Sequence, residues 1–271
     1  MNGYMHFARN QNNICQIASA ASYPIIKSGG SAPTTTSTPP KPTTITTPKP
    51  STISSTITAD LTFLNANNRN LTSPIDPNIY KGYAMSKIKT LFLERNQITI
   101  LKSYQLAMMI SLEVLMLYMN NIKTLEANWT IGLSNLVNLD LNNNQLSTLK
   151  MSDFNGLPKL RSLNLCFNGF KFLDSSNTPF ASLPSLISLD LTGNPISNSI
   201  SAVSFKNLNK LQTLNLRYCS ISSINMEAFT SPFCNPTASN TKILMNGNPV
   251  LSNAEASKLK NGMCFNFILD N

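Results

Sequence analysis

Leu136-Val137-Asn138-Leu139-Asp140-Leu141-Asn142-Asn143-Asn144-Gln145-Leu146 can be laid over Leu112-Glu113-Val114-Leu115-Met116-Leu117-Tyr118-Met119-Asn120-Asn121-Ile122 without a gap, and both read LxxLxLxxNxL. The same frame fits residues 88–98, 160–170, 186–196 and 211–221, with looser copies at 61–71 and 240–250. Eight units thus begin at 61, 88, 112, 136, 160, 186, 211 and 240, at intervals of 27, 24, 24, 24, 26, 25 and 29 residues. Recurrence at such a period marks stacked structural repeats. Positions 4 and 6 of the frame alternate as in a strand, so Leu139 and Leu141 point inward while Asp140 and Asn142 point outward. One short strand per unit predicts a parallel sheet. A lone unit cannot cover its own leucines, so neighbouring units stack and each leucine is covered by its counterparts above and below. Leu139, Leu141, Leu163, Leu165, Leu189 and Leu191 are therefore expected among the most buried residues.

This recurring frame resembles the leucine-rich repeat family, specifically its extracellular class, whose units run to about 24 residues with a later aromatic and leucine. Ile131 with Leu133, Phe154 with Leu157, Phe180 with Leu183 and Phe205 with Leu208 take those later places. The resemblance implies an α/β solenoid: a curved parallel sheet on the concave face, a mostly irregular or short helical convex side, and a disordered N-terminal tail. The chain divides accordingly into a leader (1–30), a linker (31–58), the repeat domain (59–250) and a C-terminal cap (251–271).

The ninth position carries Asn96, Asn120, Asn144, Asn168, Asn194 and Asn248, with Arg69 in the first unit and Cys219 in the seventh. An inward amide at a strand exit both donates and accepts, which satisfies turn backbone groups otherwise buried without partners. These asparagines are read as scaffold, Cys219 as a small buried donor and Arg69 as the mark of an exposed first coil. Cys166 falls at an outward strand position, and Cys15 lies in the leader. A terminal coil needs a cover for its leucines. Extracellular members of the family often carry a cysteine-containing cap there, which implies a Cys234–Cys264 disulfide; the alternative is two reduced thiols in a cytosolic protein.

Of the 271 residues 42% are hydrophobic, enough for a sizeable core, but only 12% are charged, which excludes a charge-rich coiled coil. The net charge of +9 is uneven: Arg9, Lys27, Lys41 and Lys49 stand in residues 1–59 without a single acid. Residues 31–58 are almost entirely Ser, Thr, Pro and Lys, a composition that cannot bury enough apolar surface to offset the entropy of ordering it. The segment is either an O-glycosylated stalk or an unmodified spacer. Arg9 to Asn13 interrupt any apolar signal core in the leader, and no stretch reads as membrane-spanning. Two sequons, Asn70-Leu71-Thr72 and Asn128-Trp129-Thr130, offer glycosylation sites.

The sequence carries no nucleotide, hydrolase, kinase or zinc motif, and its single histidine, His6, lies in the leader. No catalytic residue, metal ligand or cofactor site is assigned. Outward strand positions hold Lys89, Arg95, Arg161, Arg217 and Lys242 against Glu94, Glu113, Asp140 and Asp190, a near-cancelling set expected to be solvated and unsuited to nucleic acid. Recognition remains: a non-catalytic, extracellular domain binding a protein or peptide on its concave sheet. The alternatives are the sensing fragment of a larger receptor, for example a receptor kinase, and an intracellular scaffold. Phe92, Arg95, Val114, Met116, Tyr118 and Met119 form an apolar and aromatic patch on the outward positions, with Phe167, Arg217 and Tyr218 as a second anchor. The bland alternative is that these side chains simply pack on one another.

Overall fold

The structure, a computed structural model, describes residues 62–76, 80–171, 178–197, 200–201, 203–225, 227–229, 241–249 and 266–268. The tail over 1–58 and the proposed Cys234–Cys264 pair lie outside them. Each unit contributes one strand of three residues: β1 (Phe63–Asn65), β2 (Thr90–Phe92), β4 (Val114–Met116), β6 (Asn138–Asp140), β7 (Ser162–Asn164), β8 (Ser188–Asp190), β9 (Thr213–Asn215) and β10 (Lys242–Leu244). A ninth strand, β11 (Asn266–Ile268), pairs in parallel with β10. The nine follow one another in chain order in a single sheet, one strand more than the eight units predict. On the return side β3 (Ile100–Leu101) and β5 (Thr124–Leu125) form a second, two-stranded parallel pair.

Register follows the repeat frame without slippage. Leu64, Leu91, Leu115, Leu139, Leu163, Leu189, Leu214 and Ile243 are successive partners across the sheet. A slip of one residue would turn every one of them to the outer face, so burial of that row specifies the register. Leu139, Leu141, Leu163, Leu165, Leu189 and Leu191 are all buried, as the alternation requires.

Strands stop after three residues because the eighth position of each unit leaves the extended region. Asn68, Arg95, Met119, Asn143, Phe167, Gly193, Tyr218 and Gly247 all have positive φ, between 48° and 71°. Only glycine, and to a lesser degree asparagine, adopts that conformation without cost. Arg95, Met119, Phe167 and Tyr218 are held there by the hydrogen bond that each backbone N–H donates to the next unit: Arg95 to Tyr118, Met119 to Asn142, Phe167 to Thr192 and Tyr218 to Asn246.

Behind the sheet, Phe154, Phe180, Phe205 and Phe229 form a column of buried rings with centroids 6.3, 6.4 and 5.8 Å apart. In the preceding unit the sequence frame puts Ile131 in this layer, but Ile131 is 43% exposed and Trp129 is buried instead. The indole explains the exchange. Its N–H donates to the Asp153 carbonyl at 2.7 Å, so the larger ring is buried with its one polar atom satisfied.

Candidate functional site

The outer face is held in place by the asparagine row at the strand exits. Asn144 is typical: its amide donates to the Leu117 and Leu141 carbonyls at 3.0 Å each, and its oxygen accepts the Ile122 N–H at 3.0 Å. Asn96, Asn120, Asn168, Asn194 and Asn248 likewise bridge their own unit to the one before. Cys219 supplies a donor only, to the Leu191 carbonyl at 3.1 Å. The turn before it compensates by closing on itself, Ile196 N–H donating to the Asn194 carbonyl. Arg69 is exposed, and its backbone N–H donates to Asn96.

At the N-terminal end of the outer face Phe63 and Phe92 meet edge to face at 5.0 Å, and Phe63 is 43% exposed. Val114, Met116, Tyr118 and Met119 are half-buried beside them, and Arg95 is exposed. Burial and the Glu94 carboxylate push the Tyr118 phenol above its ordinary pKa, while a hydrogen bond with the Arg95 side chain opposes the rise. Tyr118 is therefore a neutral hydroxyl joined to a guanidinium on an apolar floor. Farther along, the Phe167 ring lies against Gly193 and the Tyr218 ring against Gly247, so close that neither glycine has room for a Cβ. Tyr218 keeps 46% of its surface exposed. Arg217 is half-buried, its Nε donating to Asn246 Oδ1 at 3.1 Å.

Between these two ends the outer face departs from expectation. Asp140 and Asp190 are buried rather than solvated, and so are Asn142, Asn164, Asn215 and Cys166; Glu94, beside Arg95 at the N-terminal end, is buried too. Polar bonding along the fifth position explains how the acids tolerate this. Asp140 accepts the Asn142 N–H and amide on one oxygen and the Asn164 amide on the other. Asp190 repeats the device two units on, accepting from Thr192 N–H and hydroxyl and from the Asn215 amide. The sequence signal was the alternation Asp140, Asn164, Asp190, Asn215 at one frame position. Its meaning, carboxylate and amide neighbours across the sheet, emerges only with register.

Burial dominates the electrostatics of this row. It raises the Asp140 pKa to about 7, against the lowering effect of the Asn142 and Asn164 bonds and with a further rise from Asp190. Burial also raises Asp190, while the Thr192 and Asn215 bonds and Arg217 lower it. A carboxyl whose folded pKa exceeds its unfolded value binds more protons when folded, so stability falls as pH rises between the two. Unfolding free energy should therefore decrease from about pH 4 to about pH 7, the interval set by Asp140. Urea titrations at the two pH values are expected to show that loss in the native chain and a smaller one in Asp140→Asn; equal slopes in both would refute it.

Asn70 and Asn128 are both exposed with positive φ, whereas Thr130 of the second sequon is buried and bonded to the Asn155 carbonyl. Cys166 and Cys219 are both buried, and Cys219 is free. Sequence reasoning missed a set of exposed apolar side chains on the return segments of consecutive units: Tyr104, Met108, Ile110, Ile131 and Met151. Among the described residues no cluster of His, Cys, Asp and Glu could hold a metal ion, and no helix is long and apolar enough to cross a membrane.

Residues 110–232 belong to the leucine-rich repeat family: a family model described as leucine rich repeat matches four overlapping stretches, 110–170, 134–196, 158–221 and 184–232. A comparison with curated proteins finds no match. Among solved structures, a crystal structure of a TLR13–ssRNA13 complex is similar at a TM-score of 0.53 and 21% identity, over 72% of this chain and 23% of that one. The leucine-rich repeat domain of APL1B is similar at a TM-score of 0.53 and 20% identity, over 78% of this chain and 54% of that one. The chain thus spans about a quarter and about half of these two structures. At such identities the likeness carries the fold.

Proposed function

We propose that this is a non-catalytic, extracellular recognition domain that binds a protein or peptide on the outer face of its sheet. The observation that carries the reading is the run of partly exposed Phe63, Phe92, Met116 and Tyr118 beside the Arg95 guanidinium, bordered by the polar row from Asn138 to Asp140. Aromatic, Met and Arg side chains inside a polar rim are the composition of interaction surfaces. Phe167, Arg217 and Tyr218 add a second anchor on the same face. The exposed sequon asparagines Asn70 and Asn128 support a glycosylating compartment; a gel shift on enzymatic deglycosylation checks it. The TLR13 structure is of an RNA complex by its own description. Here no two basic residues are adjacent in the sequence, so no basic run is offered to a phosphate backbone, which favours a protein or peptide over an RNA.

The test begins with the full chain immobilised and the retained protein identified. Against that ligand, Phe92→Ala and Tyr118→Ala are each expected to weaken binding by about 1–2 kcal/mol. Their thermal midpoints should stay near that of the native chain, since both side chains are only half-buried. Unchanged affinity in both variants, or losses of stability that match the losses of affinity, would defeat the assignment.

A further inference from the structure

Among the described residues seven large apolar side chains are exposed, and five of them, Tyr104, Met108, Ile110, Ile131 and Met151, lie on three consecutive return segments. The other two, Phe63 and Tyr218, belong to the outer face of the sheet. An apolar group gathered in one place away from the core calls for a cover. Backbone bonds show what stands at its centre. The Asn128 carbonyl accepts the Tyr104 N–H at 3.3 Å and the Ile131 N–H at 3.2 Å. Gly132 packs so close to the preceding unit that a Cβ there would fall 2.2 Å from the Ala107 carbonyl oxygen, which brings Met108 alongside. One unit on, Met151 opens the 3-10 turn Met151–Phe154, and the Asp153 carbonyl of that turn accepts the Trp129 indole N–H at 2.7 Å. The exposed side chains therefore surround Asn128 from the unit before, from its own unit and from the unit after.

Asn128 is itself exposed and opens the sequon Asn128-Trp129-Thr130. We infer that Asn128 carries an N-linked glycan whose inner sugars lie over Tyr104, Met108, Ile131 and Met151 and so cover this apolar patch. A pyranose ring has one face of C–H groups and a rim of hydroxyls. Its face can lie on an aromatic or thioether side chain while the rim stays in water, which replaces an apolar surface by a solubilising one. In the transfer the Asn128 amide nitrogen bonds to the anomeric carbon of a lipid-linked oligosaccharide diphosphate. The diphosphate leaves with the electron pair of the broken C–O bond, and the amide gives up one proton. The transferase needs the Thr130 hydroxyl while the chain is unfolded; folding then buries it against the Asn155 carbonyl at 2.5 Å.

Asn70 provides the comparison. Its sequon is exposed too, and its side-chain oxygen accepts from Gln97 at 3.4 Å, but none of the five apolar residues stands in its unit. The inference rests on the glycosylating compartment proposed above and not on the ligand-binding face.

The full chain secreted from a glycosylating cell decides the matter. Mass spectrometry of its digest is expected to find Asn128 occupied. The folded chain is then treated with dilute hydrogen peroxide, which oxidises accessible methionines. Met108 and Met151, 69% and 55% exposed in the polypeptide alone, are expected to oxidise several-fold faster in Asn128→Asp than in the native chain. Aspartate tolerates the positive φ of residue 128 as asparagine does. Enzymatic trimming of the glycan from the folded native chain should give the same rise without any substitution. Asn70→Asp should change neither rate, and buried Met245 should stay slow throughout, which reports an intact fold. A bare Asn128 beside an occupied Asn70 overturns this inference alone, whereas two bare sequons overturn the compartment reading with it. Equal oxidation of Met108 and Met151 with and without the glycan would also overturn it, leaving the patch to another occupant.

Discussion

Replacing Phe180 by alanine is expected to lower the unfolding free energy by roughly 3–5 kcal/mol, the usual loss for a buried ring. Phe180 is the second ring of the column, stacked at 15° on Phe154 and at 13° on Phe205, and it is fully buried. Its neighbours are fixed by their own units on either side, so little can relax into the cavity. In a stacked-repeat protein each unit is stabilised by the two it touches. The loss should therefore appear at two interfaces together, as faster hydrogen exchange at Leu141 and Leu191 as well as in the unit of Phe180 itself. Phe180→Leu, which keeps much of the volume, is expected to lose less. Chemical denaturation measures the total, and a loss below about 1 kcal/mol would show that the column is not part of the cooperative core.

Asn144→Leu should destabilise by about 2–4 kcal/mol, although leucine nearly matches the side chain in size. The Ile122 N–H then has no acceptor, and the Leu117 and Leu141 carbonyls each lose one of two amide donors. Asn120 and Asn168 still reach those carbonyls, which limits the damage. Asn144→Cys is the informative companion. A thiol there can donate as Cys219 does to Leu191, but it cannot satisfy Ile122, so its loss should fall between native and leucine. If leucine and cysteine were both neutral, the amide row would be dispensable to the turns it spans.

Legibility differed by frame position. Positions 4 and 6 were read correctly because inward apolar residues answer to one requirement, burial, which a period of two expresses directly. Position 9 was readable for a related reason: a buried turn must satisfy its backbone groups, and asparagine is the small residue that both donates and accepts. The later aromatic layer was read in three units and missed in the fourth. Ile131 and Trp129 are two residues apart, and the choice between them depended on whether a carbonyl of the next unit was placed to accept the indole N–H. Position 8 was read only as outward; the positive φ it shares in every unit is announced by Asn68, Asn143, Gly193 and Gly247 but masked by Arg95, Met119, Phe167 and Tyr218.

By itself the sequence determined the stacked parallel architecture, its strand positions, its register and its inner rows, because those follow from periodicity and from the need of each unit for a neighbour. Tertiary structure alone decided the character of the outer face. Whether an outward acid is solvated depends on what lies beside it in other units. Asp140 and Asp190 became buried, amide-bonded carboxyls through contacts about one unit away. No local pattern encodes such contacts, since the partner stands about one unit away in the sequence.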